Sequence, residues 1–412
     1  RGPQTIDLGH DAAGRPVTIQ EDHLAAHGLI LGASGAGKST TLMRIGAHQI
    51  QRGRPLIVID LKGSPDLAAK LGAQANAANR RLRIWTPEGP ELWNPLAHGN
   101  PTELKDRLIG AERFSEPHYR RAAERYVQTA FTVMQELGIT PTLAWTVDLL
   151  EPKTLMTAAR ELPDPRSQQV TAYLRGLSRD QLSAVRGLGS RLAVLSESHA
   201  GRYLEPDPAA PGIDLRGALN GGDVVLFSLN SSSYGSLAAQ LGTLAVQDLV
   251  SAAGARLNQA SREPAIVALD EFSALGSEQV VALIARGREA GVSVMLATQE
   301  LADLDRAGPG FRDQVIGSTA LKIAHRQDGP RSAEQVAAMA GSTQAWEQSY
   351  SDARDSRQSR VNTRLVDKPV VDPAQIQTLA TGEAMVLTKT PSTKVRMARI
   401  APLKSDRGLE RE

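Results

Sequence analysis

Short apolar runs rich in Val, Ile and Leu recur along the chain, at 28–31, 56–59, 224–229, 265–269, 292–297, 320–323 and 384–387. Each is nearly continuous in apolar character and is bounded by turn residues. That is the pattern of strands buried on both faces of a parallel sheet. Helical periodicity fills many of the intervals, as over 236–256 and 278–290. Strands alternating with helices predict a doubly wound α/β core.

The stretch 99–205 reads differently. It lacks strand-like runs and places apolar residues at spacings of three and four: Tyr119, Ala123, Tyr126, Ala130, Val133, Met134 and Leu137. Pro117 opens this helix at a first-turn position and Gly138 closes it. The pattern predicts an all-α domain, 99–205, inserted into an α/β domain made of 1–98 and 206–403. Residues 404–412 form a C-terminal tail. The polar segment 349–364, with Arg354, Arg357, Arg360 and Arg364, reads as a solvated loop, the alternative being arginines that track phosphates, and 369–387 as an ordered return that adds a last strand.

Composition narrows the picture. The 412 residues exceed one ordinary domain, and 41% hydrophobic with 22% charged residues suffices for a large core. There is no cysteine, so neither disulfides nor thiolate metal sites enter. With 47 basic and 45 acidic residues the net charge is +2, which argues against a protein that merely coats nucleic acid. Four Trp, six Tyr and five Phe leave little aromatic surface for base stacking. No apolar run approaches the ~20 residues of a membrane span. The chain opens on Arg1 rather than Met, which suggests trimming; membrane association is expected only through a segment upstream. A cytoplasmic location follows, at the inner-membrane face if such an anchor precedes the chain.

The chemistry centres on Gly32-Ala33-Ser34-Gly35-Ala36-Gly37-Lys38-Ser39, followed by Thr40. This G-x-x-x-x-G-K-S lies between a strand and a helix, the context a phosphate-binding loop requires. Its glycines let backbone N–H groups converge on phosphate oxygens, and the helix N-terminus adds its positive dipole end. Lys38 would reach the β- and γ-phosphates and Ser39 would ligate Mg²⁺, so ATP and Mg²⁺ are the expected cofactors. The run Ala265-Ile266-Val267-Ala268-Leu269 ends in Asp270-Glu271. Asp270 suits the Mg²⁺ shell and Glu271 the polarisation of an attacking water. Gln299 ends the next strand, where it would sense the γ-phosphate or position that water.

Arg286 and Arg288 read in two ways. Either supplies an arginine finger, Arg288 being the stronger candidate, or both are solvated cations at a helix C-terminus. Asp60 and Lys62 follow the second strand, as a salt bridge or as part of the site. The histidines show no ligand spacing, and His10, His23 and His27 read as surface residues.

In their order these elements resemble the FtsK/HerA superfamily of ring ATPases, and within it the coupling proteins of conjugative type IV secretion. The resemblance rests on His27-Gly28-Leu29-Ile30-Leu31-Gly32, Ile59-Asp60-Leu61-Lys62-Gly63, Leu92-Trp93-Asn94-Pro95-Leu96, Leu269-Asp270-Glu271-Phe272, Leu296-Ala297-Thr298-Gln299 and the closing segment from Val371 through Gly382-Glu383-Ala384. Ser318-Thr319 departs from it, since an Asn is common there. The resemblance implies a RecA-like P-loop core and a homohexameric ring with nucleotide sites between subunits. Arg288 would act in trans, and single-stranded DNA would be moved without regard to sequence. It also implies relaxosome or secretion-channel proteins as partners. A double-stranded DNA motor and a protein-export ATPase or docking platform are the competing expectations.

Overall fold

The structure, a computed structural model, describes residues 4–403 apart from 113, 115, 211, 261 and 352–359. The 404–412 tail, Arg354 and Arg357 therefore lie outside the described residues. Among the described residues thirteen strands form two sheets: β1 (Thr5–His10), β2 (Pro16–Gln20), β3 (Gly28–Leu31), β4 (Leu56–Asp60), β5 (Leu82–Trp85), β6 (Val224–Ser228), β7 (Ala265–Asp270), β8 (Val292–Thr298), β9 (Leu321–Ala324), β10 (Ser342–Ser351), β11 (Arg360–Pro369), β12 (Glu383–Thr388) and β13 (Lys394–Ile400). The large sheet runs β2-β1-β13-β12-β9-β3-β8-β7-β4-β6-β5.

All seven strands from β9 to β5 are parallel. Strand β12 then joins β9 antiparallel, and β13, β1 and β2 extend that edge. All seven apolar runs of the sequence appear as strands. The runs at β3, β4, β7 and β8 are buried at every residue, as two-sided coverage demands. Strand β13, with burial alternating along Lys394–Ile400, and the Pro-led β2 escape a search for continuous runs because one face of each is solvated.

Two apolar layers cover the sheet. On one face the helices Lys38–Gln51 and Pro65–Ala77 pack with β1 and β2 around Ile45, Ile50, Leu67 and Leu71. On the other, Ile57, Trp85 and Phe227 of the sheet share one continuous core with Tyr126, Phe131, Leu188 and Leu192 of the helical segment. No described residue between Asn100 and Glu205 is in a strand.

That second core is tied by a buried polar group. Trp93 Nε1 donates to Asp248 Oδ2 at 3.1 Å, and Arg107 Nη1 lies 3.2 Å from Asp248 Oδ1. Asn94 donates to the Pro141 carbonyl at 2.9 Å and accepts from Leu96 N–H at 2.9 Å. The Leu92–Leu96 segment thus joins sheet, helical segment and the helix Ser231–Arg256.

The stretch 349–364 is not simply a loop. Residues Ser342–Ser351 and Arg360–Pro369 pair antiparallel through ten register positions as a separate ribbon. Its Arg364 faces Glu347 at 2.7 Å. Cross-strand pairs of this kind stabilise a polar ribbon that offers no apolar run to find.

Candidate functional site

Parallel strands place their carboxyl ends on one edge of the sheet, where open α/β folds bind ligands. Here that edge collects Leu31, Asp60, Asp270, Thr298 and Ala324, since β3, β4, β7, β8 and β9 run in register. Gly32 to Gly37 turn from β3 into the helix Lys38–Gln51, with φ of +73° at Gly35 and +123° at Gly37. A side chain on Gly37 would meet Gly382 Cα and His325 Cε1 at 3.1 Å, so only glycine fits there.

Lys38 is buried beneath the loop, its Nζ donating to the Gly32 carbonyl at 2.6 Å and the Ala33 carbonyl at 3.3 Å. Burial and the nearby Lys62 lower its pKa, against Glu271 and Asp270. Ser34, Gly35 and Ser39 are exposed, Gly37 and Thr40 partly so, and Gly32, Ala33 and Ala36 are buried. The loop therefore presents one open side, lined by the residues the sequence singles out.

The acidic pair stands across from it. Asp270 is 4% exposed, and it lies in register with Asp60 of β4. Burial, with Asp60 and Glu271 close by, pushes its carboxyl up to about 6. Glu271 takes a left-handed backbone, φ 57°, costly for a non-glycine residue and typical of residues held for function. Its Oε1 accepts from Gln299 Nε2 at 3.1 Å and meets Lys62 Nζ at 2.5 Å. Asp60 spends its carboxylate on the turn that aims Lys62, accepting from Lys62 N–H at 2.9 Å and Ser64 N–H at 2.7 Å. Asp60 is thus a positioning residue, and Lys62 belongs to the site.

Mg²⁺ fits this donor set. Among the described residues there is no cluster of three His, Cys, Asp or Glu groups able to cage a metal. A nucleotide-site Mg²⁺ needs none, because it takes one or two protein oxygens, waters and phosphate oxygens. Ser39 and Asp270 would supply those oxygens, and a cation would offset the burial and the repulsion from Asp60 and Glu271 that raise the Asp270 pKa.

Sequence reasoning missed three contributors. His325, one residue past β9, is fully buried; its Nδ1 lies 2.9 Å from the Glu383 carbonyl and its Nε2 2.8 Å from Thr41 Oγ1. Burial drives its pKa down to about 4, so the ring is neutral. A carbonyl only accepts, so Nδ1 carries the proton and Nε2 accepts from Thr41, pinning the helix behind Lys38. Gln327 donates to the Gln299 carbonyl at 3.3 Å, and Gly382 N–H donates to the Ala36 carbonyl at 2.9 Å. The usable signal was position at a strand's carboxyl end, not residue spacing.

Arg286 and Arg288 are not brought to this chain's own site. Both are exposed on the last turn of the helix Ser277–Glu289, which feeds into the start of β8. Gln299 follows the far end of that seven-residue strand, about 20 Å away. His27 is corrected from surface to buried, 2% exposed, its Nδ1 accepting Val294 N–H at 3.0 Å. Thr319 is buried with its hydroxyl on the Val315 carbonyl at 2.8 Å, a helix-end role outside the site.

The family model described as the TraM recognition site of TraD and TraG matches residues 264–381, and the FtsK/SpoIIIE family model matches 1–55. No curated protein sequence matches the chain. Among solved structures, the bacterial conjugative coupling protein TrwBdeltaN70 in an unbound form is similar at TM-score 0.70 and 16% identity, covering 98% of this chain and 90% of that one. TrwB in complex with ADP and Mg²⁺ is similar at TM-score 0.67 and 16% identity, over 96% and 89%. VirB4 of Thermoanaerobacter pseudethanolicus is similar at TM-score 0.63 and 16% identity, over 99% of each chain. At such identities the structural likeness is one of fold. The two family matches and the shared RecA-like fold bear out the resemblance to the FtsK/HerA superfamily, in the form of its conjugative coupling proteins.

Proposed function

We propose that this chain is an ATP-hydrolysing motor, working as a ring of six copies, that moves relaxase-bound single-stranded DNA as a conjugative coupling protein. The observation that carries the reading is the convergence of Lys38, Ser39, Asp270, Glu271 and Gln299 on one sheet edge, with Glu271 held by Gln299 and Lys62. The loop N–H groups and Lys38 bind the phosphates, and Glu271 takes the proton of the attacking water. Mg²⁺, when bound, neutralises charge on the β- and γ-phosphates. Both Gln299 and Lys62 engage Glu271 Oε1, which aims the carboxylate. The distance of Arg288 from its own chain's site supports a finger acting on the neighbouring copy.

Complexes of TrwB with ADP and Mg²⁺ and with a non-hydrolysable ATP analogue support the choice of nucleotide. The match named for TraM recognition supports a protein partner from the relaxosome or secretion channel. The segment 99–205 serves as the substrate-docking domain. Among the described residues no helix is long and apolar enough to cross a membrane, so any attachment to the inner-membrane face would use another segment.

ATP hydrolysis measured alone, with single strands, with duplex and with a candidate substrate protein tests the reading. Single strands should stimulate most. Stimulation by duplex alone would favour a double-stranded DNA motor, and stimulation by protein alone an export ATPase. Equal turnover by wild type and Glu271→Gln would remove the hydrolytic assignment.

A further inference from the structure

The helical segment contributes nothing to the nucleotide edge, yet it carries a surface cleft of about 510 Å³. One wall is the first part of the helix Pro117–Glu136, where His118, Arg121 and Arg125 share a face at spacings of three and four. The opposite face of that helix buries Tyr126, Val127 and Phe131, so the cleft-side residues are left over from core packing. The other wall brings Tyr173 from the helix Arg166–Arg175 and Asp180 from the start of the helix Arg179–Ser196.

The chemistry of these walls is specific. The Arg125 guanidinium lies 4.4 Å from the Tyr173 ring centroid, and the His118 and Tyr119 rings lie 4.2 Å apart. Tyr119 and Tyr173 are half-buried, with His118 and Arg125 packed against their rings, and Arg121 and Arg125 are exposed. Arg175 and Arg179 continue the positive charge along the exposed helix ends, against Asp180. Fixed rings beside guanidinium forks suit a ligand with flat π-faces joined by anionic links. A duplex hides its base faces in the stack, whereas a single strand offers them.

We propose that this cleft is a contact for single-stranded DNA outside the motor site, with Tyr119 and Tyr173 stacking bases and Arg121 and Arg125 holding phosphates. It rests on the DNA reading above and adds a place where the strand is held. It also amends the expectation that aromatic stacking is negligible: few rings are needed when they share one cleft.

The test is the fluorescence anisotropy of a labelled deoxythymidine oligomer titrated with the full chain over a series of salt concentrations. Tyr173→Leu should weaken binding about tenfold, the order of one lost stacking contact, while Tyr173→Phe, which keeps the ring, should bind as wild type does. Arg121→Gln, at an exposed position that cannot disturb the core, should lower the slope of log affinity against log salt by about 0.7. Wild-type affinity with an unchanged salt slope in both Tyr173→Leu and Arg121→Gln would overturn the cleft and leave the DNA reading standing. Absence of strand binding by wild type would overturn both. Equal competition by duplex would show that base faces are not read and would also overturn the cleft.

Discussion

Replacing Asp270 by Asn should stabilise the ligand-free protein while removing its Mg²⁺-dependent function. The carboxyl is 4% exposed and pushed up to about 6 by burial, Asp60 and Glu271, from its ordinary 3.8. An acid whose pKa is raised on folding holds its proton more tightly in the native state than in the unfolded chain. Stability therefore declines as pH rises from about 3.8 to about 6, and the penalty is complete above that. A shift of about two units at 1.36 kcal/mol each gives roughly 3 kcal/mol of strain at pH 7.5. Asn keeps the oxygen that accepts Glu271 N–H at 3.0 Å but carries no charge, so it removes the penalty and keeps the local bond.

The assay is urea unfolding of wild type and Asp270→Asn without nucleotide or Mg²⁺, at pH 7.5 and near pH 4. The variant should be the more stable by up to about 3 kcal/mol at pH 7.5, and the gap should close towards pH 4. Addition of Mg²⁺ and ATP should reverse the order, because only wild type gains binding energy from the metal. In wild type, Mg²⁺-dependent nucleotide affinity should weaken as pH falls through about 6, where the carboxyl takes up a proton. A ligand-free Asp270→Asn protein no more stable than wild type at pH 7.5 would refute the idea that this carboxylate is held charged against its surroundings.

Other expectations are more direct. Lys38→Ala should abolish tight ATP binding, whereas Glu271→Gln should retain binding and lose turnover, as equilibrium binding and phosphate release would register. Gly37→Ala should lose nucleotide affinity without global unfolding, since its methyl would press on Gly382 and His325; unchanged affinity would show that the loop has room. Asp248→Ala should cost about 3–5 kcal/mol in unfolding experiments by stranding the buried Arg107. Arg288→Ala should bind ATP normally and hydrolyse it 10³–10⁵-fold more slowly, within the usual range for a finger. Mixed with Lys38→Ala under subunit exchange, it should recover activity above the sum of the two variants, and mixed rings that stay inactive would remove the trans role.

What the sequence displayed and what it concealed follow from one physical distinction. Strands covered on both faces must be apolar at every position, so β3, β4, β7 and β8 stood out, and the residues after them were legible as a site. Strands exposed on one face carry half that signal, which is why β1, β2 and β13 passed unseen. Contacts made across the fold carry none: nothing near His325 announces Thr41, 284 positions away, and nothing near Lys62 announces Glu271. His27 was misread for the same reason, because a lone histidine before a strand gives no sign that Val294 N–H will seek its ring. Arg288 shows the limit most clearly. Its place between the acidic pair and Gln299 made it a finger candidate, and the helix that bears it spans the sheet and delivers it to the edge opposite its own chain's site. A residue that chain order brings near and the fold carries away can act on a phosphate only if another copy presents one. A solvated helix-end arginine would sit at the same distance, so the mixed-variant experiment, not the distance, separates the two readings of Arg288.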